Sequence, residues 1–168
     1  AISALLISFG YLFVGGLVML GGSALDLIDG GLARRKGLVS RFGALLDSVV
    51  DRLQESLVLV GILCYYVWAS SDELFGVIDQ WAIGILLSYT AFVGSVMVSY
   101  LRARSESLGI ECKVGIMTRP ERVLLLGGGL LLGQWISEIL LVVLLALTIF
   151  GLFTTVQRLM HSSKQLER

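Results

Sequence analysis

Asp26-Leu-Ile-Asp29-Gly30-Gly-Leu-Ala33-Arg34 is followed, eight residues on, by Gly43-Ala-Leu-Leu-Asp47-Ser-Val-Val-Asp51. Asp26 and Asp29 are three residues apart, and Asp47 and Asp51 four. On a helix either spacing puts both carboxylates on one face. Gly43 lies one turn before Asp47 on that face and lets a ligand or another backbone come close. Four oxygen donors converging on one place suit a hard divalent cation, Mg²⁺ or Mn²⁺, better than zinc. Two facing pairs fit two ions, the arrangement used for displacement at phosphorus. The competing reading is a solvated rim in which these acids pair with Arg34, Arg35, Lys36, Arg41 and Arg52. Four acids at these spacings, with Gly30 and Gly43 interleaved, weigh against it.

The surroundings sharpen the point. Of 168 residues 56% are hydrophobic, and mean hydropathy is +0.87. The solvent for much of this single domain is therefore lipid. Ionisable residues at membrane depth are costly and by default functional. One His and two Cys, at positions 64 and 112, leave no basis for a thiolate or histidine metal centre or for a disulfide. Formal net charge is zero, and no nucleic-acid partner is expected.

The pattern D-x2-D-G-x2-A-R-x8-G-x3-D-x3-D is similar to the signature of the CDP-alcohol phosphatidyltransferases, with every fixed position matched. The resemblance implies an all-α integral membrane enzyme, a six-helix transmembrane bundle that forms homodimers. Such an enzyme moves a phosphatidyl group from a CDP-linked lipid to the hydroxyl of a small alcohol and releases CMP. Carried over residue by residue, Asp26, Asp29 and Asp47 match metal ligands. Asp51 matches the fourth ligand and the general base. Gly30 and Ala33 match positions where cytidine lies flat against the helix, Arg34 a diphosphate contact, and Ser40 a nucleotide contact. Ser40 is read equally well as the N-cap of the helix beginning at Arg41. Glu55, one turn past Asp51, lies beyond the motif and is expected to pair with Arg52 or Arg102.

On the six-span template, residues 1–9 are the stub of the first span and 11–34 the second, with a turn at Gly10. Nine helical residues rise only ~14 Å, too little to cross. Either the first span is truncated here or the chain has five. A helix is expected over 41–69, an acidic loop over 70–80 and spans over 81–101, 123–136 and 139–156. The stretch 102–117 and the tail 158–168 are polar. Thr118-Arg119-Pro120-Glu121 reads as a helix start with a capping box. Gly127-Gly128-Gly129 with Gly133 reads as a packing face, available for dimerisation. With alternating spans, all 13 Lys and Arg fall on one side. By the positive-inside rule this is a multi-pass cell-membrane protein whose acidic motif faces the cytoplasm.

The acceptor is read from the second basic cluster. Arg119 and Arg122 share the first turn of a helix, where free N–H groups and the dipole favour an anion. Arg also recognises phosphate bidentately. These stretches resemble the phosphatidylinositol-phosphate and archaetidylinositol-phosphate synthase branch. In that branch the residues matching Arg102, Arg122 and Arg158 bind the acceptor's phosphate, although Lys is common where Arg102 stands. The expected substrates are CDP-diacylglycerol or CDP-archaeol and inositol phosphate, with glycerol phosphate as the alternative acceptor. A small transporter with carboxylate relays is a rival of another class. It would spread its acids through the membrane depth, whereas these gather at one edge.

Overall fold

The computed structural model describes residues 1–35, 40–68, 73–74 and 78–167, without the side chains of 27–35, 73–74, 78–79 and 137. Six helices account for nearly all of it: α1 (Ile2–Ser8), α2 (Leu12–Arg35), α3 (Arg41–Trp68), α4 (Gln80–Ser107), α5 (Arg119–Gly133) and α6 (Ser137–Leu166). The exception to an all-α reading is a two-residue antiparallel ladder. In it Glu73–Leu74 pairs with Ile78–Asp79, inside the region expected as an acidic loop. Asp72 of that loop lies outside the described residues.

The helices close into a ring. In order round it α1 touches α2, α2 touches α5, α5 touches α6, α6 touches α4, α4 touches α3, and α3 returns to α1. Ile7, Ile62, Leu130, Leu140 and Leu144 are fully buried between them. Polar groups lie inside as well, Arg122, Arg158, Ser88 and Thr154 among them, whereas Leu86, Leu124, Val142 and Phe153 stand exposed. That inverts the soluble pattern, as expected where the outer surface meets hydrocarbon. By length and composition, α4 and α6 are each able to cross a membrane.

Helix ends follow local chemistry. Gly10 turns the chain between α1 and α2 at φ 87°, a left-handed backbone suited to Gly. The Ser40 hydroxyl accepts the Gly43 N–H at 2.9 Å, so Ser40 caps α3. Thr118 is the N-cap of α5 with Pro in the first turn, as read from sequence, but its hydroxyl donates to the Glu121 carboxylate and bonds no backbone N–H. The capping box is therefore only half made. The stretch 158–166, expected as a polar tail, continues α6, and α4 runs on to Ser107. Beyond the apolar zone these two helices still pack, through polar contacts. Ser105 and Ser162 share a 2.7 Å hydrogen bond, and the Arg158 guanidinium donates to the Val98 carbonyl at 2.6 Å.

Glycines set the close approaches. A Cβ on Gly127 would meet Leu20 of α2, one on Gly129 would meet Val143 of α6, and one on Gly133 would meet Leu140. These three pack α5 inside its own ring, while Gly128 faces open space. At Gly61 a Cβ would lie 2.6 Å from the Ala4 carbonyl oxygen. Gly61→Ala should therefore separate α1 from α3 and cost about 1–3 kcal/mol, the usual cost of overpacking. Gly128→Ala should be neutral or stabilise by up to about 1 kcal/mol, since Ala is the better helix former. Thermal unfolding in detergent micelles distinguishes the two.

Candidate active site

A cavity of about 320 Å³ opens inside the ring between α1, α2, α3 and α5. Val18, Met19, Val58 and Leu126 give it apolar walls, and Asp51, Glu55 and Arg119 make one end charged. α3 and α5 are not neighbours in the ring. Their long side chains reach each other across its interior, in two rungs.

The outer rung joins Asp51 to Arg119, with 2.5 Å between Oδ1 and a terminal guanidinium nitrogen. Both side chains are partly accessible, 13% for Asp51 and 29% for Arg119. The contact is Coulombic and poorly aligned, since neither Asp51 Oδ1 nor Arg119 Nε completes a hydrogen bond. One turn deeper on each helix stands the inner rung. Arg122 grips Glu55 bidentately, Nε to Oε1 at 2.6 Å and a terminal nitrogen to Oε2 at 3.0 Å. The rest of the guanidinium donates to the Met117 carbonyl at 3.1 Å and the Ser99 hydroxyl at 3.4 Å. Ser95 Oγ donates to Glu55 Oε1 at 2.6 Å. These side chains are 4% and 8% accessible. This is a buried pair with its partners supplied, which is what such a pair needs.

The acidic motif is distributed over α2 and α3. Asp26 Oδ2 is buried with no hydrogen-bond partner. The charges acting on Asp51 include those of Asp47 and Asp26, which oppose its own, and of Arg119 and Arg52, which favour it. Asp47 is exposed on α3 one turn before Asp51. Asp29, Gly30, Ala33 and Arg34 lie on the last turns of α2, with side chains outside the described residues. Among the described residues no three His, Cys, Asp or Glu side chains form a ready metal cluster. The donor set nevertheless suits a hard cation. Buried carboxylate oxygens that complete no hydrogen bond, Asp26 Oδ2 and the Arg119-paired Asp51 Oδ1, are the kind of group that a divalent ion satisfies. Gly43 lies in the first turn of α3, where a Cβ would stand 3.0 Å from Ser40 Oγ.

The basic residues divide. Arg102 is exposed on α4 and bonded to Glu106 at 2.9 Å. Arg119 reaches the cavity. Arg122 is taken up by Glu55, and Arg158 is buried, its Nε donating to the Val114 carbonyl at 2.9 Å. Glu55 thus does not pair with Arg52 or Arg102. Arg52 donates to the Ser48 carbonyl of its own helix, and Arg102 has Glu106. The sequence did carry a trace of the true pairing: Glu55 stands to Asp51 as Arg122 stands to Arg119, each one turn deeper.

Residues 1–154 match the family model for CDP-alcohol phosphatidyltransferase. The archaetidylinositol phosphate synthase of Methanothermobacter thermautotrophicus is 35% identical over 162 residues, covering 94% of this chain and 74% of that protein. The phosphatidylinositol phosphate synthase of Cutibacterium acnes is 32% identical over 151 residues, covering 84% and 69%. Among solved structures, the Mycobacterium tuberculosis phosphatidylinositol phosphate synthase with CDP-DAG bound superposes with a TM-score of 0.84 at 28% identity. That match covers 95% of this chain and 78% of the other. The same enzyme in complex with manganese and citrate gives 0.83 at 28%, covering 95% and 75%.

Truncating one member of the inner rung strands the other as a buried charge. Glu55→Ala should cost about 3–5 kcal/mol. Glu106→Ala, which breaks the exposed pair with Arg102, should cost at most about 1 kcal/mol. Unfolding midpoints of the two variants in the same detergent check the contrast.

Proposed function

The chain belongs to the CDP-alcohol phosphatidyltransferase family, and from that premise we propose that it transfers the phosphatidyl or archaetidyl group of a CDP-linked lipid to a hydroxyl of inositol phosphate, releasing CMP. The observation that carries the reading is the cavity itself. Its walls are apolar, and its polar end gathers Asp51 and Arg119, with the partnerless Asp26 oxygen on the adjoining helix. Such a site fits a substrate that is hydrocarbon at one end and diphosphate at the other. The relatives that make inositol-phosphate lipids support the choice of acceptor.

In this reading Asp26, Asp29, Asp47 and Asp51 hold the divalent cations, Mg²⁺ or Mn²⁺ and two in number, which supply neutralising charge to the diphosphate. Gly30 and Ala33 leave room for the cytidine, and Arg34, Ser40 and Gly43 flank the nucleotide. Asp51 takes the proton of the acceptor hydroxyl. The acceptor oxygen then bonds to the lipid-linked phosphorus, the bond from that phosphorus to the CMP oxygen breaks, and CMP leaves. A carboxylate is a weak base for an alcohol, so Asp51 must sit against that hydroxyl.

Arg102, Arg119, Arg122 and Arg158 form the acceptor side. Arg119 offers the accessible guanidinium, and Arg122 and Arg158 fix the segments around it. The chain sits in the cell membrane as a homodimer of six-helix bundles, with α1 too short to cross and the site toward the cytoplasm. The one-sided clustering of its basic residues supports that orientation.

Asp51→Asn removes the base and should lower CMP release by about 10²–10⁴-fold. The assay is metal-dependent CMP release from CDP-diacylglycerol and from CDP-archaeol. Its arms offer inositol phosphate, glycerol phosphate, free inositol or no acceptor. Turnover with free inositol equal to that with inositol phosphate would refute the acceptor assignment.

A further inference from the structure

The two rungs between α3 and α5 are alike in chemistry and differ in alignment and, at the arginine, in burial. The inner one is a fork with three further partners and almost no solvent access. Opening it would strand a desolvated charge. The outer one is a single, misaligned contact between partly accessible side chains. A pair of that kind is worth little and is readily exchanged. Its two members have different alternatives. Asp51 belongs to the set of carboxylates that suits a divalent cation, and Arg119 keeps a buried Nε–H without an acceptor. The inner rung holds both in place, since Glu55 is one turn from Asp51 and Arg122 one turn from Arg119.

We infer that Arg119 and the divalent cation compete for the Asp51 carboxylate, so that cation binding turns Arg119 over to the phosphate of the acceptor. The inference rests on the functional reading above and adds an order to it. The guanidinium neutralises Asp51 until the cation does so, and is then free to bind an anion with the Nε–H that Asp51 leaves unused. Coupling of this kind is reciprocal. Whatever Arg119 loses at Asp51 it can offer to phosphate, and a phosphate that draws Arg119 away strengthens cation binding by the same factor. An acceptor without phosphate has no such hold on Arg119, which makes Arg119 a specificity-determining residue.

Two measurements test this on the full-length chain in detergent. Mn²⁺ binding is followed by its electron paramagnetic resonance signal, and labelling of Arg119 by phenylglyoxal is followed by mass spectrometry. In the wild type, labelling of Arg119 should rise as Mn²⁺ saturates, while that of Arg122 stays low throughout. Arg119→Gln should bind Mn²⁺ more tightly by up to about fivefold, the ceiling for a partly exposed ion pair. If Mn²⁺ binds and Arg119 labelling does not change, the competition is overturned and the transferase reading stands. The same holds if Arg119→Gln binds Mn²⁺ no more tightly. If the wild type binds no Mn²⁺ at all, the transferase reading itself fails and takes the inference with it. The labelling arm uses the unaltered protein and decides the matter should the variant misfold.

Discussion

The ion pair between Glu55 and Arg122 is the constraint on which the charged end of this site hangs. α3 and α5 stand on different sides of a helical ring, and apolar packing does not bring them together. A fork of two hydrogen bonds does so, drawing in Ser95 and Ser99 of α4 and the Met117 carbonyl at the entrance to α5. Removing two charges from water gains little net stability even with good geometry. Its effect is specification. With both partners committed, α5 has one rotation about its axis, the same one that seats Gly127 against Leu20 and Gly129 against Val143.

That rotation decides what faces the cavity. With Arg122 turned inward, Arg119 lies over Asp51, and Val123 and Leu126 line the apolar wall. Basic residues that look alike in sequence therefore have unlike tasks. Arg122 and Arg158 give their hydrogen bonds to the protein's own carboxylate and carbonyls, whereas Arg119 keeps donors in reserve. A guanidinium is suited to either task because its planar fork can tie several backbone and side-chain oxygens together at once.

Much of this was legible in local pattern. Asp47 and Asp51 on one helical face, the cap at Ser40, the turn at Gly10 and the run of α3 from Arg41 all follow from spacings of a few residues. The Glu55–Arg122 pair joins residues 67 apart, and Arg52 and Arg102 stood nearer in sequence or register. Periodicity identifies which residues share a face and leaves open which distant face meets it. The continuation of α6 past Arg158 was hidden for the same reason. Its polar composition reads as a solvated tail until Val98, Val114 and Ser105 are seen to supply its partners. The short ladder at Glu73 and Ile78 has no periodic signal at two residues per strand.

The segment between α4 and α5 is stitched down along its length. The Ile110 N–H reaches the Ser105 carbonyl, the Val114 carbonyl accepts from Arg158, and the Met117 N–H donates to Thr154. Gly115, at φ 126°, passes directly over Thr154 and Arg158, where no side chain would fit. A segment pinned at so many points has no slack, and adding or deleting one residue would shift every fastening beyond it, including the one that orients α5. Length variation across such proteins should therefore collect in the connection between α3 and α4, on the opposite rim, leaving this crossing at constant length as a ruler for the helix that follows.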